Sequence, residues 1–370
     1  MRRFYRIFIG LVILLVSQPV FAVSTTKIDV VRSKESLTEA DTAVIEEFAT
    51  EAFKEFFEKT DFSDISTLRT AIVSRSVSEL ESGQIQYGPS FFAAVQNETT
   101  KIIQKMDVLP ESRRKTLLTT NLLILINDLG NVELSKTALD YLQSSNVIIR
   151  YWAVNCLTNA NIVRQLNYES EENKRLADEF VQKLTTAAEN EKSGDILSAI
   201  AQFAAGLKQP SANELLLSIA NKRIELYMNW TVNDEMTDIA VLRALAERAD
   251  MDRENRRATA RNFATLYSVV IQRYLLDDGT LNEKNKSSLV SVIVQSEKLV
   301  NQFVSDWPGT LKRALEKGGG AGLLAEHDSL FGSASVAGKM PNLVGFDYGK
   351  NADGSARSFP PAMQKPPKPQ

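Results

Sequence analysis

TEADTAVIEEFATEAFKEFFE, residues 38–58, carries the pattern from which the rest of the chain is read. Thr38 and Asp41 have the spacing of a helix-starting cap, a hydroxyl followed three residues later by an acid. The apolar set Val44, Ile45, Phe48, Ala49, Ala52, Phe53, Phe56 and Phe57 then recurs at i, i+3, i+4 and i+7, which gathers it into one stripe of an amphipathic helix. Glu47, Glu51, Glu55 and Glu58 line the other face. They read as a solvated face, because a metal site needs carboxylates converging in a cavity.

Outward from this helix the same period dominates from Ser36 to about Trp307, with glycine and proline scarce and strand-like alternation nearly absent. A polar break falls at Ser82-Gly83. Beyond it, helical segments come in pairs: 89–107 with 110–129, 132–144 with 147–160, 172–189 with 195–207, 211–229 with 234–249, and 255–277 with 284–305. The second members start about 36 to 50 residues apart, close to the period of two-helix solenoid repeats. Each segment has a stripe it cannot bury alone, such as Leu176, Phe180, Val181 and Leu184, or Phe263, Leu266, Tyr267, Val270 and Tyr274, or Leu289, Val292, Ile293, Val300 and Phe303. Stacked neighbours bury such stripes. The run Leu122 to Ile126 is apolar all round, as in a helix covered on several sides, and is too short to span a membrane.

The second pair has the most specific pattern. Leu134, Ala138, Leu139 and Leu142 make a first helix, Ser144-Ser145-Asn146 a turn, and the stretch from Val147 to Leu157, with Arg150, Tyr151, Trp152, Ala153 and Cys156, a second helix. This resembles a unit of the HEAT and armadillo repeats, in divergent form, since the family's usual first-helix proline and turn aspartate are replaced here. By that resemblance Arg150 bonds neighbouring turns; Trp152, in the same helix, is expected in the core. The fold expected is all-α: an α/α superhelix, or solenoid, of about five helical hairpins after an N-terminal helical segment.

The ends read differently. Arg2, Arg3 and Arg6, an apolar stretch from Ile7 to Val16, and Val20-Phe21-Ala22 form the three parts of a secretory signal peptide cleaved after Ala22. The apolar stretch is about half the length of a membrane span. The residues after Arg2-Arg3 do not complete a twin-arginine signal, and no cysteine near the cleavage point supports a lipoprotein. From Gly318 onward, Gly318-Gly319-Gly320, scattered glycines, Pro360-Pro361 and Pro366-Pro367 leave too little apolar periodicity for a core. The layout expected is therefore a signal at 1–22, a linker at 23–35, a helical domain at 36–317 and a disordered tail at 318–370. Within that tail Leu323-Leu324, Leu330-Phe331 and Leu343 to Phe346 remain candidates for docking.

Little in the sequence points to chemistry. Without Arg2, Arg3 and Arg6, the 43 basic residues fall to 40 against 46 acidic ones, a charge of about −6 that argues against a nucleic-acid or anionic-membrane binder. The single histidine, His327, lies in the expected tail, which counts against a Ser-His-Asp assembly and a zinc site. The single cysteine, Cys156, excludes an internal disulfide and reads as a buried helix residue. Asp277-Asp278-Gly279 and the stretch Asp347 to Gly354 miss the ligand spacing of a calcium loop and read as turns. There is no dinucleotide or phosphate loop. No catalytic residue, metal or cofactor is expected. The reading is an exported helical scaffold, periplasmic or extracellular, that binds a protein or peptide partner, with no nucleic acid and no stable membrane insertion after cleavage. The alternative is a helical envelope enzyme acting on glycans or peptidoglycan through a carboxylate.

Overall fold

Helix α2 (Glu39–Glu58) starts on the cap read from the sequence: the Thr38 hydroxyl accepts from the Asp41 amide and the Asp41 carboxylate from the Thr38 amide, a reciprocal capping box. Hydrogen bonds from Lys34 and Thr38 hold the Asp41 carboxyl down at about 2. The computed structural model describes residues 25–77, 79, 85–277, 279, 281–317 and 320–365. The expected signal peptide, the break at Ser82-Gly83, Asp278, Gly318-Gly319 and Pro366-Pro367 lie outside the described residues. The protein is all-α. Among the described residues there is no strand beyond an isolated bridge between Lys350 and Ala356, and no helix is long and apolar enough to cross a membrane.

The chain divides after Leu129 into two units. In the first, α1 (Thr26–Arg32), α2, α3 (Phe62–Val73), α4 (Tyr87–Asp107) and α5 (Arg113–Leu129) follow in order. α2 lies along α4, α3 along α5, and α1 on α2. The α2 stripe closes on α4 through Phe48 and Phe91, whose ring centroids are 6.4 Å apart. Residues 23–35, expected as linker, thus contain a helix, because Ile28 and Val31 are one turn apart and both reach the core.

The second unit contains α6 (Val132–Ser135, continued as a 3-10 helix Lys136–Tyr141), α7 (Val147–Thr158), α8 (Ala160–Leu166), α9 (Glu171–Asn190), α10 (Gly194–Gly206), α11 (Pro210–Met228), α12 (Thr237–Met251), α13 (Arg256–Leu275) and α14 (Glu283–Ser296, continued as a 3-10 helix Glu297–Gln302). α15 (Thr310–Glu316), α16 (Gly320–Phe331) and α17 (Lys339–Val344) complete it. Within it, α9, α11 and α13 form one layer and α10, α12 and α14 the other, each helix touching its hairpin partner and the equivalent helix of the next hairpin. That is solenoid stacking. Of the five pairs read from the sequence, one lies in the first unit and four in the second.

Arginines fasten the hairpin turns, whose carbonyls would otherwise be stranded at helix ends. Arg150 donates to Ser144 O and Ser145 O, Arg223 to Asn233 O and Asp234 O, and the buried Arg248 to Leu207 O and Gln209 O. Arg223 also donates two buried hydrogen bonds to the Asp238 carboxylate, at 2.7 and 2.9 Å, with Tyr227 completing the carboxylate's partners at 2.6 Å. Burial alone would lower the Arg223 guanidinium; Asp238 outweighs it and raises the group. Gly194 opens α10 where nothing larger fits, since a Cβ there would stand 1.8 Å from the Asp234 carboxylate.

The described part of the C-terminal segment, 320–365, lies on the unit. Leu323, His327, Leu330 and Phe331 of α16 recur at helical spacing and are buried, as are Met340, Tyr348 and Met363. Glycine and proline density had hidden these anchors. Each is held by contacts with the preceding helices, which composition does not express.

Candidate peptide-binding surface

α13 presents two polar residues one turn apart, Ser268 and Gln272, on the face that also holds the buried Ala264 and Ile271. Gln272 Nε2 donates to Ser268 Oγ at 2.9 Å and to Pro361 O at 3.0 Å, while its Oε1 accepts from the Met363 amide at 2.7 Å. One side chain therefore satisfies both a carbonyl and an amide of the chain crossing it. Beside it stands Trp230, directly after α11 in the left-handed region at φ 58°, with its indole Nε1 donating to Gln364 O at 3.0 Å. The Arg273 guanidinium lies 4.8 Å from the Trp230 ring centroid and stacks as a cation on its face. Burial lowers Arg273 below its ordinary value.

The segment 358–365 is brought here by the fold of its own chain. Gly332, at φ 99°, ends α16 where a Cβ would meet Ser358 O at 2.8 Å. Tyr348 then ties its hydroxyl to Phe331 O at 3.0 Å and its amide to Arg357 O at 2.9 Å, and Arg357 N returns to Gly349 O at 2.8 Å. This closes a loop over residues 348–357. Pro360-Pro361 then leaves it with backbone φ preset near about −65°, no helix of its own, and Pro360 and Met363 buried.

His327 anchors the other side of the same network. Its Nε2 lies 2.7 Å from Ser268 Oγ and its Nδ1 3.0 Å from Asp328 Oδ1, and its ring packs on Phe331. Because the Asp328 carboxylate can only accept, the neutral ring carries its proton on Nδ1, and the bare Nε2 accepts from the Ser268 hydroxyl. That connectivity is that of a Ser-His-Asp triad, which sequence reading discounted. Its surroundings are not those of a nucleophile: Ser268 is 0% exposed, and the α13 amides around it are engaged within the helix, which leaves no backbone oxyanion donors. The network holds α16 and the C-terminal segment to α13.

The residues singled out from the sequence lie elsewhere. Arg150 joins two turns, its Nε and Nη2 reaching Glu191 at 2.8 and 3.1 Å from the turn before α10. Trp152 is half-buried, not core, edge-on to Tyr151, because its face of α7 is only partly covered. Cys156 is buried in α7. Asp277 accepts from Gly279 N and Leu281 N, and Asp347 and Asp353 from Gly349 N and Ser355 N, all turn bonds. Among the described residues no group of three or more His, Cys, Asp or Glu side chains could hold a metal. Glu235 has its carboxyl raised by burial, yet it is only 3% exposed and offers a sugar no access. A cleft of about 510 Å³ runs past Lys208, Pro210, Met251 and Glu254, and the Arg248 at its wall is committed to turn carbonyls.

Sequence reading missed Ser268, Gln272 and Trp230. The available signal was the pair of polar residues one turn apart on α13. No known protein family and no curated protein matches the chain.

Proposed function

We propose that the protein is an exported scaffold whose second unit holds an extended polypeptide across α13, with residues 358–365 of its own chain as the resident occupant. The observation that carries this reading is the double hydrogen bond of Gln272 to Pro361 O and Met363 N. A side chain that satisfies main-chain groups recognises a polypeptide as such, and a neighbouring indole that donates to a carbonyl of a proline-rich stretch is a known mode of peptide recognition. The stacked hairpins supply the rigid layer such a surface requires, and the turn-binding Arg150 supports reading that layer as a divergent relative of HEAT-type units. The signal-like N-terminal sequence supports export, and the partner proposed is a protein or peptide.

The test uses the full chain and a labelled synthetic peptide of residues 356–370. Met363→Asp, which weakens the resident segment by placing a charge in its buried anchor, should raise capture of the added peptide severalfold over the unaltered chain. Gln272→Ala in the same background should abolish the gain. Equal, unsaturable binding by all three chains would sink the reading.

A further inference from the structure

The contact that fixes the clamp residue also contains the only histidine of the sequence. A single line of hydrogen bonds runs from Asp328 through His327, Ser268 and Gln272 to the main chain at Pro361 and Met363. In the neutral state every donor in it faces an acceptor: Nδ1–H the Asp328 carboxylate, the Ser268 hydroxyl the bare Nε2, one Gln272 N–H the Ser268 oxygen and the other the Pro361 carbonyl. A second proton on the imidazole reverses one step. Nε2 becomes a donor aimed at a hydroxyl that was donating to it, so Ser268 must turn its proton elsewhere and accept from both sides. At the same time a cation is created that is 5% exposed, against the Phe331 ring and 3.0 Å from the Asp328 carboxylate. Lifting α16 into water would relieve that burial and take the support away from Gln272.

We propose that His327 is a pH-operated latch on the polypeptide surface, its protonation in mildly acidic surroundings loosening α16 and the Gln272 clamp and freeing the surface from residues 358–365. The proposal rests on the reading of that surface as a polypeptide site. The groups that face the imidazole are Asp328 on its own helix, Ser268 on α13, and Phe331, which Tyr267 of α13 approaches from the far side with its hydroxyl committed to Ile293 O. Among the described residues Asp328 supplies the charge that acts on it. Burial lowers the imidazole below its ordinary value of 6.5, and Asp328 pulls it back in part. The folded state thus favours the neutral ring. Its contribution is complete above the ordinary value and is lost as the pH falls through the lower, folded one.

The experiment measures hydrogen-exchange protection of the Met363 amide and the Trp230 indole in the full chain between about pH 8 and about pH 5, corrected for the intrinsic pH dependence of exchange. Protection should fall severalfold on acidification. In His327→Gln it should be insensitive to pH, and in Ser268→Ala, which keeps the histidine titrating but cuts the line to Gln272, the acid step should also disappear. A pH-independent wild type, or an acid step that persists in both variants, overturns the latch. Binding of the labelled 356–370 peptide across the same range separates the two ideas. Release of the segment without capture of peptide leaves the latch and removes the peptide-binding reading; equal capture at both ends of the range leaves that reading and removes the latch.

Discussion

Removing the Arg150 guanidinium strands the Glu191 carboxylate, whose side chain is 4% exposed and which also accepts from Lys192 N and Ser193 N. Burial alone would raise that carboxyl; Arg150 and the two amides outweigh it and hold it below its ordinary value. Arg150→Ala should therefore cost about 1–3 kcal/mol in urea denaturation, more than an ordinary surface substitution, because a buried acceptor loses its charged partner. At His327 the expected outcome concerns pH. The melting temperature of the unaltered chain should drop more steeply than that of His327→Gln as the pH is lowered from about 7 to about 5. Parallel curves would show that the imidazole does not titrate with folding. Neither residue's role was legible to the same degree. Arg150 sits in a turn-plus-helix pattern that announces itself, whereas Ser268 and Gln272 become meaningful only when α16 and residues 358–365, remote in sequence, arrive on their face of α13.

At the scale of elements, the long helices were legible because each has an apolar stripe that keeps the 3.6-residue period for several turns. α9, read as 172–189, spans Glu171–Asn190, and α12, read as 234–249, spans Thr237–Met251. Short elements were not. α8 has seven residues and α17 six, too few turns for a period to show. The segment from 320 to 365 hid for a related reason, since Phe331, Tyr348 and Met363 are separated by loops and obey no common spacing. Its docking leads to a defined expectation: deletion of residues 345–370 should lower the melting temperature, and limited trypsin digestion should cut the intact chain at Lys350 more slowly than it cuts Gln272→Ala. The Lys350–Ala356 bridge and the Asn351–Ser355 bond shield that site only while the loop is closed. Cleavage at equal rates would show that Gln272 does not hold the segment.

For the whole molecule, far-ultraviolet circular dichroism should be dominated by helix, with strand under about 5%, since nearly every ordered segment follows the helical period. Composition had already limited what such a molecule is suited to, through an acidic surface and a lone histidine and cysteine. It could not divide the chain at Leu129, because the hairpins on both sides of that point share one periodicity and differ only in the neighbours they contact. A wider consequence follows from residues 358–365 lying on α13 while tethered to it. A segment that leaves a folded loop of its own chain directly beside its site stands there at an effective concentration on the order of millimolar, whatever the concentration of the protein. Any rival chain has to outbid that resident. On the proposed reading of this surface, scarce or weakly matched polypeptides would be filtered out, and what it would retain is a sequence that is abundant, tightly fitting or presented in several copies.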